Sequence, residues 1–379
     1  IADERCAAFF ALGIAQQINK PVAVVCTSGS ALLNYYPAFA EAFYSEIPLI
    51  VLSADRPKSK IDIGDGQTIR QENVFANHSL FNANLQENVS VENDQLINEA
   101  ISKAILEKGP VHINVPFEEP LYETTQELVV KSQIIPEVYP IEEVEDVAAF
   151  AKKWNAASKK MILVGVNNPN AISQEIVNWM GNDPSVIVLT ETTSNLHHEN
   201  FISNIDTIIT PFTASDFEHF QPEVLLTFGG MVVSKRIKGF LRKYKPKAHW
   251  HVDVLRAYDT FGALTHHFKT EPNSFFEQFM PLSQKVESPY QLDFLEIKKV
   301  RQIKQQIYLS KIPFSDFKAF DIIMMNLPQQ SMLQISNSSA IRYAQLVEIH
   351  PSISVFCNRG TSGIDGSTST AVGAAFASD

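Results

Sequence analysis

The sequence predicts an α/β protein of three successive parallel-sheet units, the first and last of them incomplete. Three observations predict it. Short, continuous apolar runs recur along the chain, such as Val22–Cys26, Lys160–Val166 and Val224–Phe228, and unbroken runs of this kind suit strands covered on both faces. Helical stretches alternate with them, the pattern of βαβ units. Several runs end in Gly, Ser, Thr, Asn or Arg, and parallel sheets carry their ligand sites at the carboxyl ends of strands. A length of 379 residues suits two or three domains. We place the boundaries at 1–130, 131–295 and 296–379.

The elements follow in order. Residues 6–18 are almost wholly apolar and read as a buried helix, stopped by Asn19-Lys-Pro21. Strand 22–26 leads into Thr27-Ser28-Gly29-Ser30, a turn with N-capping residue types, and then a helix over 31–44. Strand 48–53 ends in Asp55-Arg56-Pro57. A polar, glycine-bearing loop spans 63–70, a helix 94–107 and a closing strand 109–116. The acidic stretch 125–148 reads as a linker. The second unit has strands 160–166, 185–190, 224–230 and 248–253, with a helix at 174–180. A long polar helix, 291–310, reads as a connector. The third unit has helix 315–326, strand 331–335, a helix through Val347 and strand 353–357. The small-residue run Ala371–Ala377 then forms a helix with a close-packing face.

Bulk properties exclude several classes. A formal net charge of −11 argues against nucleic acid as a partner. No apolar run reaches the ~20 residues of a membrane span. Cys6, Cys26 and Cys357 are too few and too scattered for a disulfide framework or a metal site, so reduced thiols and a cytoplasmic location are expected. The chain begins at Ile1-Ala-Asp-Glu and finishes within a helical pattern at Ala377-Ser-Asp379, and we expect a fragment of a longer protein.

Candidate chemistry concentrates at predicted strand ends. Strand 353–357 is followed by Asn358-Arg359 and a loop bearing Gly360, Gly363 and Gly366 ahead of a helix. Unpaired N–H groups at such a turn form an anion or cofactor site, or the glycines simply supply a tight turn. Arg56, Arg70, Lys235, Arg236, Arg342 and Arg359 all lie just past strands or in the loops and helices that follow them. Together they suit ligands with several carboxylates, because guanidinium forks match carboxylates; each alone also suits a solvated loop. Asp3-Glu4-Arg5 precedes the apolar helix. Glu4 is therefore either a helix-terminal charge or a desolvated proton donor. The adjacent pairs His197-His198 and His266-His267 do not share a helix face and read as surface or capping residues. No zinc-protease, nucleophile-elbow or Walker pattern occurs.

The runs Asp3-Glu-Arg5, Ala11–Ala15 and Pro21–Gly29 resemble the pyrimidine-binding domain of thiamin-diphosphate enzymes. Ser53–Pro57, Gln67–Gln71, Phe117–Tyr122, Lys235-Arg236 and Cys357–Gly366 resemble one branch more closely. That branch is the MenD family, the 2-succinyl-5-enolpyruvyl-6-hydroxy-3-cyclohexene-1-carboxylate synthases of menaquinone biosynthesis. The resemblance implies a pyrimidine-binding domain over 1–130, a central domain over 131–295 and the start of a diphosphate-binding domain over 296–379. It implies thiamin diphosphate and Mg²⁺ as cofactors, decarboxylation of 2-oxoglutarate, and conjugate addition of the product carbanion to isochorismate. Glu4 matches the glutamate that hydrogen-bonds N1′ of the cofactor's aminopyrimidine. Thr27, Ser28 and Gly29 match cofactor-contacting positions, and Ile364 the apolar residue holding the cofactor bent. Arg56, Gln67, Lys235, Arg236, Ser338, Arg342 and Arg359 match positions that line the substrate site. The family's Mg²⁺ motif has no counterpart before Asp379, so no metal ligand is assigned, and this chain alone is expected to be inactive. A homodimer or homotetramer is implied. The residues alone leave open a thiamin-diphosphate enzyme of the acetolactate synthase or 2-oxoacid decarboxylase type, and a non-catalytic metabolite-binding protein.

Overall fold

The computed structural model describes residues 1–118, 124, 126, 127, 131 and 146–378. The chain divides into two compact units, Ile1–Pro140 with Asn358–Asp379, and Ile141–Cys357. Most of the expected linker, 125–148, lies outside the described residues.

The first unit opens with α1 (Glu4–Ile18). Its N-cap is Asp3, whose carboxylate accepts from the Cys6 amide at 2.8 Å. Ala8, Phe9, Ala11, Leu12 and Ala15 are buried, as the apolar sequence requires. β1 (Val22–Cys26) follows. The helix expected over 31–44 is in fact two, α2 (Ser30–Leu33) and α3 (Tyr36–Ser45). Pro37 lacks the N–H that would continue the ladder, so the helix restarts around it. The expected serine cap is also absent: Gly29, at φ 87°, is the N-cap of α2 without a side-chain bond. β2 (Leu49–Asp55), β3 (Phe81–Asn84), α4 (Val91–Leu106) and β4 (Val111–Pro116) complete this part. α4 starts earlier than expected because Ser90 caps it, accepting from the Asn93 amide at 3.1 Å. The sheet is parallel, in the order β1-β2-β4-β3.

The second unit contains α5 (Ala148–Ala156), β5 (Lys160–Val164), α6 (Gln174–Gly181), β6 (Val186–Leu189), β7 (Phe201–Ile202), α7 (Ile205–Ile209), α8 (Ala214–His219), β8 (Val224–Phe228), α9 (Lys235–Lys243), β9 (Ala248–Val252), β10 (Leu264–Phe268), α10 (Pro272–Phe279) and α11 (Tyr290–Lys311). Six parallel strands run in the order β10-β9-β8-β5-β6-β7. Successive side chains of β5 serve two cores. Ile162 and Val164 join Trp154, Trp250 and Phe276, whereas Met161 and Leu163 join Ile237, Phe240 and Tyr290. Lys160 is fully buried, with Nζ 2.8 Å from Asp183 Oδ2 and 4.9 Å from the centre of the Trp154 ring. Burial pulls its pKa down. Next come α12 (Asp316–Met325), β11 (Met332–Gln334), α13 (Ser339–Ala344) and β12 (Ser354–Phe356). β11 and β12 form a third parallel sheet.

The chain then returns to the first unit through α14 (Ser367–Ala377), which packs on α1. The helix backbones touch. A Cβ at Gly373 would lie 2.0 Å from the Phe10 carbonyl oxygen, and one at Gly13 2.1 Å from that of Thr370. The small-residue face read from the sequence provides this contact. No helix among the described residues is long and apolar enough to cross a membrane.

Candidate active site

A buried polar network underlies the carboxyl ends of β1, β2 and β4. Gln71, 1% exposed, accepts from the Gly29 amide at 2.7 Å and donates to the Ala54 carbonyl and Asn114 Oδ1, each at 2.9 Å. Asn114 donates to Asp55 Oδ2 at 2.7 Å and accepts from Ser53 Oγ at 2.9 Å. Ser53 Oγ also meets His112 Nε2 at 2.7 Å. Burial pushes the Asp55 carboxyl up and the His112 imidazole down to about 4. The Thr27-Ser28-Gly29 turn is thus tied to the end of β2. The Gln67 backbone, at φ 55°, lies against Gly29, 3.3 Å from where a Cβ would be. Arg56 is half-buried at the end of β2, its amide donating to Asp55 Oδ1 at 2.8 Å. The Gln67 side chain is exposed. Arg70 is exposed and paired with Asp62 at 2.9 Å, a surface pair of little energetic weight.

Glu4 is the first residue of α1 and is half-buried. Its charge acts on Cys26 at the end of β1 and on Tyr35 before α3. Burial first, then the Glu4 charge, pushes the Cys26 thiol up to about 12; burial first, then Cys26, then Glu4, pushes the Tyr35 phenol upward. Tyr35 donates to the Val25 carbonyl at 2.8 Å. Glu4 therefore borders a low-dielectric wall whose neighbouring acids stay neutral.

The glycine loop after β12 does cradle an anion, and the anion belongs to the chain itself. Glu41 of α3 is 1% exposed. Its Oε1 accepts from the Gly360 amide and from Ser45 Oγ, both at 2.7 Å. Its Oε2 accepts from the Thr361 amide and Oγ1, again at 2.7 Å. A Cβ on Gly360 would lie 2.7 Å from the Glu41 carbonyl oxygen and 2.7 Å from Ser45 Oγ, so only glycine lets the loop lie this close. On the other side of Arg359, Asn358 Nδ2 donates to Thr370 Oγ1 at 3.0 Å. Arg359 is half-buried between these anchored residues, and Ile364 is 73% exposed on the same loop.

The second unit carries the other candidates. Lys235 and Arg236 are exposed at the start of α9. Glu191, just past β6, accepts from the Val233 amide at 2.6 Å and the Ser234 amide at 2.7 Å. Ser234 caps α9, accepting from the Ile237 amide at 3.1 Å, and its hydroxyl donates to Asp206. Val233 packs with Ile335, Ile341 and Val355, which brings the Lys235-Arg236 turn beside β11, α13 and β12. Ser338 is the exposed N-cap of α13 at φ 66°, and Arg342 is exposed one turn on. Asn195 completes the edge of β12, donating to the Val355 carbonyl at 2.9 Å and accepting from its amide at 2.8 Å.

The structure thus gathers Thr27, Ser28, Gly29, Gln67 and Arg56 around strand ends, and Lys235, Arg236, Ser338 and Arg342 around one apolar cluster. Sequence reading missed Gln71, Asn114, Glu41 and Glu191. Of the two histidine pairs, His198 has the expected capping role, its Nδ1 accepting from the Asn200 amide at 3.2 Å, whereas His266 and His267 lie in β10, His267 Nε2 meeting the Asp253 carbonyl at 2.7 Å. Among the described residues no three His, Cys, Asp or Glu gather to hold a metal.

The thiamine pyrophosphate enzyme N-terminal TPP binding domain matches residues 1–79. The chain is 69% identical over 378 residues to the 2-succinyl-5-enolpyruvyl-6-hydroxy-3-cyclohexene-1-carboxylate synthase of Flavobacterium psychrophilum, covering all of this chain and 69% of that protein. It is 65% identical over 381 residues to the synthase of the same name from Flavobacterium johnsoniae, again across the whole chain and 69% of the relative. With that of Christiangramia forsetii it shares 53% over 407 residues, 100% of this chain and 70% of the relative. These relationships establish that the chain belongs to the family of thiamin-diphosphate-dependent 2-succinyl-5-enolpyruvyl-6-hydroxy-3-cyclohexene-1-carboxylate synthases.

Proposed function

We propose that the protein decarboxylates 2-oxoglutarate and adds the resulting succinyl-semialdehyde carbanion to isochorismate, giving 2-succinyl-5-enolpyruvyl-6-hydroxy-3-cyclohexene-1-carboxylate for menaquinone biosynthesis. The observation that carries this is Glu4, half-buried at the head of α1 beside the neutral Cys26 and Tyr35, in a chain of this family. Thiamin diphosphate, when bound, is the electron sink for loss of carboxylate and for carbon–carbon bond formation. The residues present fit it. Glu4, at the head of α1, would offer its carboxyl group to the ring nitrogen of the aminopyrimidine. Thr27, Ser28 and Gly29 form a turn stiffened by Gln71, and Ile364 offers an exposed apolar surface to the ring system. Mg²⁺ is proposed as the counterion of the diphosphate, with no described residue assigned to it.

Arg56, Gln67, Lys235, Arg236, Ser338, Arg342 and Arg359 are assigned to the two polycarboxylate substrates, where guanidinium and ammonium groups offset the charge. The domain plan we propose remains 1–130, 131–295 and 296–379, in a homodimer or homotetramer. A cytoplasmic setting suits the three free thiols, Cys6, Cys26 and Cys357.

Carbon dioxide release by the holoenzyme tests this reading. It should require thiamin diphosphate and 2-oxoglutarate, fail with pyruvate, and fall by about a hundredfold or more in Glu4→Gln. Release from pyruvate, or a fully active Glu4→Gln enzyme, would overturn the assignment.

A further inference from the structure

We propose that Glu41 is a positioning residue that sets where Arg359 presents its guanidinium to substrate. The proposal rests on the assignment of Arg359 as a substrate-binding residue. Glu41 occupies the apolar stretch Phe39-Ala-Glu-Ala-Phe43, and burying a charge there is costly unless donors meet it. Four donors do, each at 2.7 Å, two to each carboxylate oxygen. Those contacts fill the acceptor capacity of a carboxylate.

Two of the donors are the successive amides of Gly360 and Thr361. One carboxylate bound to both fixes the two peptide planes that follow Arg359. The preceding residue is held as well, by Asn358 on Thr370 of α14. The Arg359 backbone therefore leaves the sheet between two fixed points, one on α3 and one on α14. A guanidinium launched from a fixed Cα needs less ordering to meet a carboxylate. Gly360 supports the same placement, because any side chain there would strike α3. Neutral glutamine at position 41 would turn an amide N–H₂ toward one of these donors and release part of the loop.

The test is a double-variant cycle in the holoenzyme, Glu41→Gln and Arg359→Ala singly and together, with KM and kcat for both substrates. Arg359→Ala should raise the KM of one substrate about ten- to a hundredfold. Glu41→Gln should raise the same KM about tenfold, change kcat less than about twofold, and add nothing to Arg359→Ala, because residues acting through one another are not additive. In parallel, deuterium uptake by the peptide spanning residues 358–366 should accelerate in Glu41→Gln but not in Arg359→Ala. Should Glu41→Gln fail to fold, Gly360→Ala keeps the glutamate but pushes the loop off α3, and should give the same KM pattern. Multiplicative KM effects, or unchanged uptake, would overturn the positioning role. An Arg359→Ala enzyme with ordinary KM for both substrates would instead sink the Arg359 assignment, and the proposal with it.

Discussion

Two buried glutamates, one in each unit, perform the same operation with different support. Glu41 and Glu191 each accept from two successive backbone amides, those of Gly360-Thr361 and Val233-Ser234. Each pair of amides adjoins cationic residues assigned to substrate. The surroundings differ. Glu191 follows a strand and reaches amides 42 and 43 residues away, on a turn that Ser234 also holds through its cap on α9 and its bond to Asp206. Glu41 sits inside a helix and reaches amides 319 and 320 residues away. On the Arg359 loop no helix begins until Ser367. The turn held by Glu191 keeps its form by a helix cap as well; the loop held by Glu41 has no helix cap and is held besides by Asn358 on Thr370 and by the close contact of Gly360 with α3.

A third buried carboxylate gives the comparison a control. Asp183 accepts from Lys160 Nζ at 2.8 Å and from the Ser185 amide at 2.9 Å, yet adjoins none of the assigned site residues. Asp183→Ala leaves a fully buried ammonium without its partner and should cost about 4 kcal/mol of stability in chemical unfolding. KM should stay unchanged in the enzyme that remains folded. A KM effect would mean that any buried carboxylate disturbs the site, and the distinction drawn for Glu41 would fall. Glu191→Gln is expected to be milder, about 1 to 2 kcal/mol, because Ser234 still caps α9. Its KM should rise about threefold, less than in Glu41→Gln. A larger rise would show that the local capping contributes little.

The smallest expected effect separates the two units by pH. Burial holds His112 in the first unit, and His249 and His251 in the second, at about 4. The folded imidazole resists a proton that the unfolded chain accepts near 6.5. Stability from each is thus complete above that value and is lost as pH falls from 6.5 toward 4. Going from pH 7.5 to 6 should cost about 1 kcal/mol per histidine. Hydrogen exchange resolved by unit should show the steeper loss in the second unit, and equal slopes would contradict the burial argument.

Much of the fold is legible because parallel, doubly covered strands are continuous apolar runs. β1, β2, β5, β6 and β8 fall where such runs lie. β3 and β10 do not show this pattern. Phe81-Asn-Ala-Asn84 and Leu264-Thr-His-His-Phe268 are edge strands, each paired on one side only, and tolerate polar residues. The candidates the sequence marks are those whose chemistry coincides with the end of an element, and the structure places Glu4 at the head of α1, Arg56 just past β2 and Arg359 just past β12. The site is illegible where a residue acts through the backbone of another segment. Gln71 gives no local hint that its partner is the Gly29 amide. Glu41 gave a usable signal, since one carboxylate amid Phe39, Ala40, Ala42 and Phe43 must have donors. What the sequence cannot say is that they lie at Gly360 and Thr361.

The α1–α14 contact and the Glu41 bonds also set an order of assembly. During synthesis the chain emerges from its N-terminus, at roughly 5 to 20 residues per second. α3 is made with a buried carboxylate whose main partners are 319 residues downstream, a wait of roughly 15 to 60 seconds. Over that interval the whole of Ile141–Cys357 is produced, with its own cores and sheets. Within this chain, the segment Ile1–Pro140 therefore gains its partners in Asn358–Asp379 only after Ile141–Cys357 has been made, and until then the face of α1 that α14 covers stays exposed.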